Sequence, residues 1–113
     1  METADVPNIH LQQLAYLREV ERSDTWSEAA RRLHVSQPAL SQALRELERR
    51  LGVDLFEPDG RRQRLSTAGR ELADFARRTL AEANDVVSRL EELREGRAGT
   101  VRVGMIDAAS LYV

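Results

Sequence analysis

The stretch Thr25-Trp-Ser-Glu-Ala-Ala-Arg-Arg-Leu-His-Val-Ser-Gln-Pro-Ala-Leu-Ser41 contains two helix starts in quick succession. Thr25 and Glu28 have the spacing of a capping box, which predicts a short helix from Trp26 to about Leu33. The run 34–36 interrupts that helix. Ser36 is then placed to cap a second helix that has a proline in its first turn, where the missing N–H costs nothing. Two helices joined by a tight turn are therefore expected.

The second of these helices, expected over 36–51, has two faces of different chemistry. Its leucines recur at spacings of four, three and four, which is the pattern of a buried stripe; they are Leu40, Leu44, Leu47 and Leu51. The polar residues fall away from that stripe: Gln37, Ser41, Gln42, Arg45, Glu48 and Arg49. Gly52 is placed to end the helix.

An amphipathic helix is predicted upstream, over residues 9–22, with Asn8 as its cap. Its apolar positions recur at spacings of three and four: Leu11, Leu14, Leu17 and Val20, with Tyr16 beside them. Downstream, the apolar pairs 55–56 and 64–65 flank the turn-forming run Pro58-Asp-Gly-Arg-Arg62. This pattern predicts a β-hairpin with a basic tip.

A long helix is expected after the hairpin, because Ser66 can cap it and no helix breaker follows until about Glu95. Its apolar residues approximate a heptad seam, which predicts packing against another helix: Leu72, Phe75, Ala76, Leu80, Ala83, Val86, Val87, Leu90 and Leu93. The glycine-containing run 96–99 resembles a linker, and 100–106 alternates as a strand does. We expect a chain truncated soon after the first strand of a further domain.

Composition narrows the class of protein. The 113 residues include no cysteine, which excludes disulfides and thiolate metal sites. We find no secretory signal and no membrane-spanning stretch, so a soluble cytoplasmic protein without a membrane partner is expected. The net charge of −2 taken alone argues against a nucleic-acid partner. Residues 27–70, however, hold nine arginines against six acids, a local charge of +3.

The predicted elements follow in the order helix, short helix, tight turn, capped helix and basic hairpin. This order indicates a mainly α fold, a winged helix-turn-helix followed by a dimerisation (linker) helix. The expected domains are a DNA-binding domain at 1–66, the linker helix at 67–96, and a hinge with a first strand at 97–113. In such a fold the second helix of the pair enters the DNA major groove. Its candidate contacts are Ser36, Gln37, Pro38, Ala39, Ser41, Gln42 and Arg45, since glutamine, serine and arginine can read base edges and small apolar groups can touch a thymine methyl. Arg61 and Arg62 suit the minor groove or its phosphates.

Four stretches resemble the N-terminal domain of LysR-type transcriptional regulators: Leu11-Gln-Gln-Leu-Ala-Tyr-Leu17, Ala29 through Ser41, Leu47 through Phe56, and Leu65-Ser-Thr-Ala-Gly69. The resemblance runs from about Ile9 to Met105. It implies a homodimer formed by antiparallel linker helices and a tetramer in the full-length protein. It further implies interrupted palindromic sites in double-stranded promoter DNA and a small-molecule effector held by the missing C-terminal domain. By motif position it assigns base contacts to Gln37, Pro38 and Ser41 and minor-groove contact to Arg61.

Two positions depart from the pattern of that family. Gln42 stands where arginine often follows the serine, which weakens any transferred base preference. Pro58 stands where arginine often follows Leu-Phe-Glu, which removes a positive charge near the hairpin. Backbone affinity is then expected to rest on Arg31, Arg61, Arg62 and Arg64.

The remaining singled-out residues have simpler structural interpretations. Arg49 and Arg50 are expected to be ion-paired surface residues, because acids lie at helical spacings from them. His10 and His34 are isolated, so no metal ligand is inferred. Trp26 is expected to anchor the core rather than stack on bases. No nucleophile motif or phosphate loop supports an enzyme, and no cofactor is inferred.

The alternative to DNA reading is a protein-interaction or dimerisation module, favoured by the linker helix and the acidic total charge.

Overall fold

The computed structural model describes residues 7–98 of the chain. The elements follow in the order α1 (Leu11–Arg22), α2 (Trp26–Leu33), α3 (Gln37–Leu51), β1 (Phe56–Asp59), β2 (Arg62–Leu65) and α4 (Thr67–Ala98). The chain divides into two compact units, one ending at Leu80 and the other beginning at Ala81. The predicted mainly α fold with a small hairpin is confirmed. The strand expected at 100–106 lies outside the described residues.

Three of the predicted helix caps are present. In each, a hydroxyl oxygen accepts from the backbone N–H three residues on: Thr25 Oγ1 from Glu28 at 3.0 Å, Ser36 Oγ from Ala39 at 3.1 Å, and Ser66 Oγ from Gly69 at 3.0 Å. Each bond satisfies a donor that the first turn of a helix leaves without a partner. These three hydroxyls therefore set where α2, α3 and α4 begin.

The cap predicted for α1 was wrong. The helix starts at Leu11 rather than at residue 9, and its N-cap is His10, not Asn8. The backbone N–H of His10 donates to Gln13 Oε1 at 2.9 Å, and Gln13 is buried. Asn8 instead accepts from Arg50 Nη1 through its Oδ1 at 3.2 Å. Gln13 thus supplies from inside the helix the bond that Asn8 was expected to supply from outside.

The core of the first unit lies between α1, α2, α3, the hairpin and the start of α4. Leu40, Leu44 and Leu47 are buried as the stripe predicted, and Leu51 is half-buried against them. The other members of the core are Leu17, Ala29, Ala30, Leu55, Phe56 and Ala73. Trp26 packs on this cluster and meets Phe56 edge to face, with ring centroids 4.9 Å apart. The expectation that Trp26 anchors the core is therefore met.

The hairpin has a shorter connection than its composition predicted. β1 and β2 are antiparallel, Phe56 pairs with Leu65, and Asp59 pairs with Arg62. Only Gly60 and Arg61 connect the strands, so Pro58 and Arg62 lie in strands rather than in the turn. Gly60 has φ 68° at the first turn position, where a type II′ turn favours glycine. A two-stranded sheet consists of edges, which is where a strand tolerates proline.

Within the first unit, α4 contributes to the chain's own core. Ala76 has no exposed surface, and Leu72 packs against the core cluster. This corrects the expectation that Ala76 belongs to a seam open to another helix, and it gives Leu72 a role inside the chain. In the second unit, by contrast, Val87, Leu90 and Leu93 are more than half exposed. The helix also runs past the predicted end at Glu95, to Ala98.

Glu28 completes the cap of α2 in a way that gives a pH-dependent prediction. Its Oε1 accepts from the backbone N–H of Asp24 at 3.1 Å, whereas in a capping box the donor is the N–H of the cap residue, here Thr25. Its Oε2 pairs with Arg32 at 2.9 Å. The N–H bond to Asp24, and after it the charge of Arg32, lower the pKa of the Glu28 carboxyl from its ordinary 4.5. A lowered folded-state pKa adds stability above the unfolded value, and that stability is lost as the pH falls through the folded value.

We expect Glu28→Gln to lower the melting temperature at neutral pH. The difference from the unmodified chain should shrink once the pH falls below 4.5, because the unmodified carboxyl then becomes protonated and also loses its charge. Thermal unfolding followed by circular dichroism, from neutral pH to below pH 4.5, measures the melting temperatures of the variant and of the unmodified chain. A difference that stays constant down to the acid end of the range contradicts the prediction.

Candidate nucleic-acid interface

The polar face of α3 projects into solvent at its N-terminal end. Ser36, Gln37, Pro38, Ala39, Gln42 and Arg45 are exposed, and Ser41 is half-buried. The leucine stripe holds the opposite face in the core, so the orientation of these side chains is fixed by packing. The first two turns of α3 therefore present amide, hydroxyl and guanidinium groups on one surface.

A groove of about 370 Å³ joins this surface to the hairpin. Gln37, Ser41 and Arg45 line it from α3, and Arg61 and Arg62 line it from the tip of the hairpin. Asp24, Thr25, Trp26 and Gln63 complete the walls. Five of the predicted contact residues thus share one concave site. No periodic pattern points to Asp24 or Gln63, because the place of each in the groove depends on how the hairpin folds back toward α2.

The arginines predicted to hold the DNA backbone differ in whether an acidic side chain pairs with them. No carboxylate of residues 7–98 lies within 4.0 Å of the guanidinium groups of Arg31, Arg61 or Arg62, and all three are exposed. Arg64 is held by Glu57 at 3.0 Å across the hairpin. The guanidinium groups of Arg31 and of the hairpin tip are therefore available to a polyanion, whereas that of Arg64 is already paired.

Arg49 and Arg50 lie at the other end of α3 and are ion-paired as expected. Both contact Glu46, Arg50 with its Nε at 2.9 Å. These two arginines lower the pKa of the Glu46 carboxyl, Arg49 more strongly than Arg50. Neither arginine lines the groove. This end of the helix therefore holds its charges in local pairs.

Sequence reasoning misplaced one residue of this region, Glu48. Its position in the polar face predicted a solvated side chain, but that side chain is only 12% exposed. Its Oε2 accepts from the backbone N–H groups of Leu55 at 2.8 Å and Phe56 at 3.3 Å. No spacing rule reports such a bond, because the partners lie beyond the end of the helix.

Neither histidine has the surroundings of a metal ligand, and no cluster of three or more His, Asp or Glu side chains within residues 7–98 could hold a metal ion. His34 ends α2 in the left-handed conformation, with φ 60°. His10 caps α1, and its Nε2 lies 3.2 Å from Arg50 Nη1. The helices of the described part do not include one long and apolar enough to cross a membrane.

The tight α2–α3 turn, the exposed start of α3 and the basic hairpin beside it define the class of protein, a winged helix-turn-helix protein. A family model described as bacterial regulatory helix-turn-helix protein, lysR family, matches residues 11–70. The chain belongs to this family, as the sequence motifs had suggested.

The curated relatives of the chain include HTH-type transcriptional regulators. The chain is 38% identical over 99 residues to the HTH-type transcriptional regulator XapR of Escherichia coli, covering 88% of this chain and 34% of that one. It is 35% identical over 103 residues to the HTH-type transcriptional regulator CbbR of Rhodospirillum rubrum, covering 91% and 35%. The chain thus spans about a third of the length of these relatives.

Solved structures of similar fold include complexes with DNA. The BenM_DBD/catB site 1 DNA complex matches with a TM-score of 0.73 and 27% identity, over 78% of this chain and 98% of that one. The CbnR_DBD–DNA complex matches with a TM-score of 0.69 and 35% identity, over 76% and 99%. Full-length CbnR complexed with its target DNA matches with a TM-score of 0.67 and 36% identity, over 74% and 29%.

Proposed function

We propose that this chain is the DNA-reading part of a transcription regulator that acts as a homodimer on interrupted palindromic promoter sites. The groove carries the proposal, because it brings Gln37, Ser41 and Arg45 together with the arginines of the hairpin tip. The first turns of α3 would lie in the major groove, where glutamine and arginine can form bidentate pairs with adenine and guanine. The hairpin would then reach the adjacent minor groove.

The charges of the groove and the hairpin tip agree with a polyanionic partner. Arg31, Arg61 and Arg62 are exposed, and none is paired with an acid of residues 7–98, so they can release counterions from phosphates. Asp24 is the one acid that lines the groove. We propose contacts from Ser36, Pro38, Ala39 and Gln42 as well, since they extend the same exposed surface; Arg64 contributes less because Glu57 holds it.

Dimerisation through α4 is proposed from the second unit. Its apolar side chains Val86, Val87, Leu90 and Leu93 are exposed although they recur at heptad spacing, which is unfavourable for a helix that stays alone. Phe75 is 41% exposed in the first unit. A second copy of the chain would cover such a seam.

The charges along α4 favour an antiparallel pair. Residues 67–80 carry three arginines and two acids, a charge of +1, whereas residues 81–98 carry three arginines and five acids, a charge of −2. Antiparallel helices would place the positive half opposite the negative half, and parallel helices would place like charges together.

Four further properties are proposed from the family alone: the expected tetramer, the effector of the C-terminal domain, the cytoplasmic location and the lack of enzymatic activity.

Selection from a pool of random duplex DNA tests the DNA-reading proposal. We expect the chain to enrich a two-part site. Arg61→Ala should weaken binding to that site and make the slope of log K against log salt less negative by about 0.9, the effect of one lost phosphate contact. Gln37→Ala should cost about 1–3 kcal/mol on the selected site and little on an unselected duplex.

Arg49→Ala is the matched control, because it removes the same charge from α3 outside the groove. Its effect should be small compared with that of Arg61→Ala. If the chain enriches no sequence, or if all three variants bind as the unmodified protein does while the dimer persists, DNA reading is rejected. The protein-interaction module then becomes the better description.

A further inference from the structure

Glu48 links the reading helix to the hairpin. Its Oε2 accepts from the N–H groups of Leu55 and Phe56, the residues that lead into β1. These are the side-chain hydrogen bonds that join α3 to the hairpin within residues 7–98. The position of the hairpin tip relative to the start of α3 therefore depends on this carboxylate.

The surroundings of the bond make it costly to lose. Leu55 and Phe56 are buried core residues, so their N–H groups have little access to water. On its other side, the backbone at Leu55 is held by Ser66, whose N–H donates to Leu55 O at 2.9 Å. The start of β1 is thus fastened from α3 by Glu48 and from the cap of α4 by Ser66.

The second oxygen of Glu48 faces a residue of the groove. Glu48 Oε1 lies 3.4 Å from Arg45 Nη1, one turn earlier on α3. Arg45 is 54% exposed and lines the groove opposite Arg61 and Arg62. One carboxylate therefore holds both the hairpin and an arginine of the reading surface.

We propose that Glu48 is a positioning residue for DNA reading, which holds Arg45 aimed into the groove with one oxygen and the hairpin beside it with the other. This inference rests on the proposed function. An arginine held by a carboxylate is less available to phosphates, so the pair should raise the preference for a chosen sequence over any duplex. Glu48 does not itself touch DNA in this arrangement.

Two substitutions separate the two oxygens. In Glu48→Gln, the amide oxygen can still accept from Leu55 and Phe56, but the amide NH₂ group has no lone pair to offer Arg45. Glu48→Ala removes both acceptors and should lower the unfolding temperature. The glutamine variant therefore tests the hold on Arg45 with the hairpin still in place.

The experiment measures binding of the whole chain to the selected duplex and to an unselected duplex over a range of salt. We expect Glu48→Gln to bind the unselected duplex about threefold more tightly, with a salt slope steeper by about 0.9, because Arg45 gains a phosphate. The preference for the selected duplex should fall about fivefold. In an Arg45→Ala background, Glu48→Gln should change neither the slope nor the preference.

Asp54→Asn is the control for a general change of charge, because Asp54 is exposed and makes no ion pair with Arg45. The inference is overturned if Glu48→Gln matches the unmodified chain, if it acts alike with and without Arg45, or if Asp54→Asn reproduces its effect. All three results require that the unmodified chain bind its selected site. Failure of that binding would instead overturn the proposed function, and this inference with it.

Discussion

Replacing Gly69 by alanine is expected to lower the free energy of unfolding by about 3 kcal/mol or more, as overpacking does where the obstacle cannot move. A Cβ at this position would stand 2.1 Å from the backbone oxygen of Leu55 and 3.0 Å from Leu65 Cδ2. The oxygen cannot retreat freely, because it accepts from the N–H of Ser66 at 2.9 Å. The cap of α4 and the start of β1 would therefore be forced apart.

Urea unfolding followed by the fluorescence of Trp26, the only tryptophan of the chain, measures this loss. Gly96→Ala is the matched control, since nothing lies within 4 Å of the added Cβ. There the better helix propensity of alanine should leave stability unchanged or raise it by up to about 1 kcal/mol. If both variants unfold at the same urea concentration, the prediction is wrong, and the close approach of Gly69 to Leu55 does not limit how α4 packs against the start of β1.

The parts of the fold that the sequence predicted depend on short spacings. A hydroxyl three residues before its donor identified the caps at Thr25, Ser36 and Ser66, and spacings of four and three identified the leucine stripe of α3. Within one helix, sequence distance determines spatial distance. The faces of α3 therefore follow from the sequence alone.

The features that were missed join residues that a turn brings together. Glu48 reaches seven and eight residues along the chain to the backbone of Leu55 and Phe56, past Gly52 at the end of α3. The contact of Gly69 with Leu55 and the presence of Asp24 in the groove have the same origin. Such contacts depend on loop geometry, for which periodicity carries no information.

The seam of α4 shows a different limit of sequence reasoning. Heptad spacing placed Ala76 and Leu90 in one apolar series, yet Ala76 is fully buried in the first unit and Leu90 is 58% exposed in the second. Periodic apolar residues show that one face of a helix will be buried, but they do not show whether the same chain or another one buries it. The chain's own core covers the early part, and a second copy is proposed for the later part.

Leu90→Glu is accordingly expected to break the dimer while leaving the helix-turn-helix unit folded. In a twofold pair each substitution enters twice, so the loss of two buried leucine side chains amounts to about 3–6 kcal/mol. That corresponds to a dimer dissociation constant raised by about 10²- to 10⁴-fold. At micromolar concentration the mass from light scattering should fall from twice 12.8 kDa toward that of one chain.

Ser88→Glu provides the control, because Ser88 is an exposed polar residue of the same helix, two positions before Leu90 and outside the apolar series. It adds the same charge, so a dimer that survives Ser88→Glu and dissociates with Leu90→Glu is held by apolar contact. Circular dichroism should show that both variants remain folded. A Leu90→Glu protein with the dimer mass would mean that the second copy, if it binds at all, covers another face of the chain.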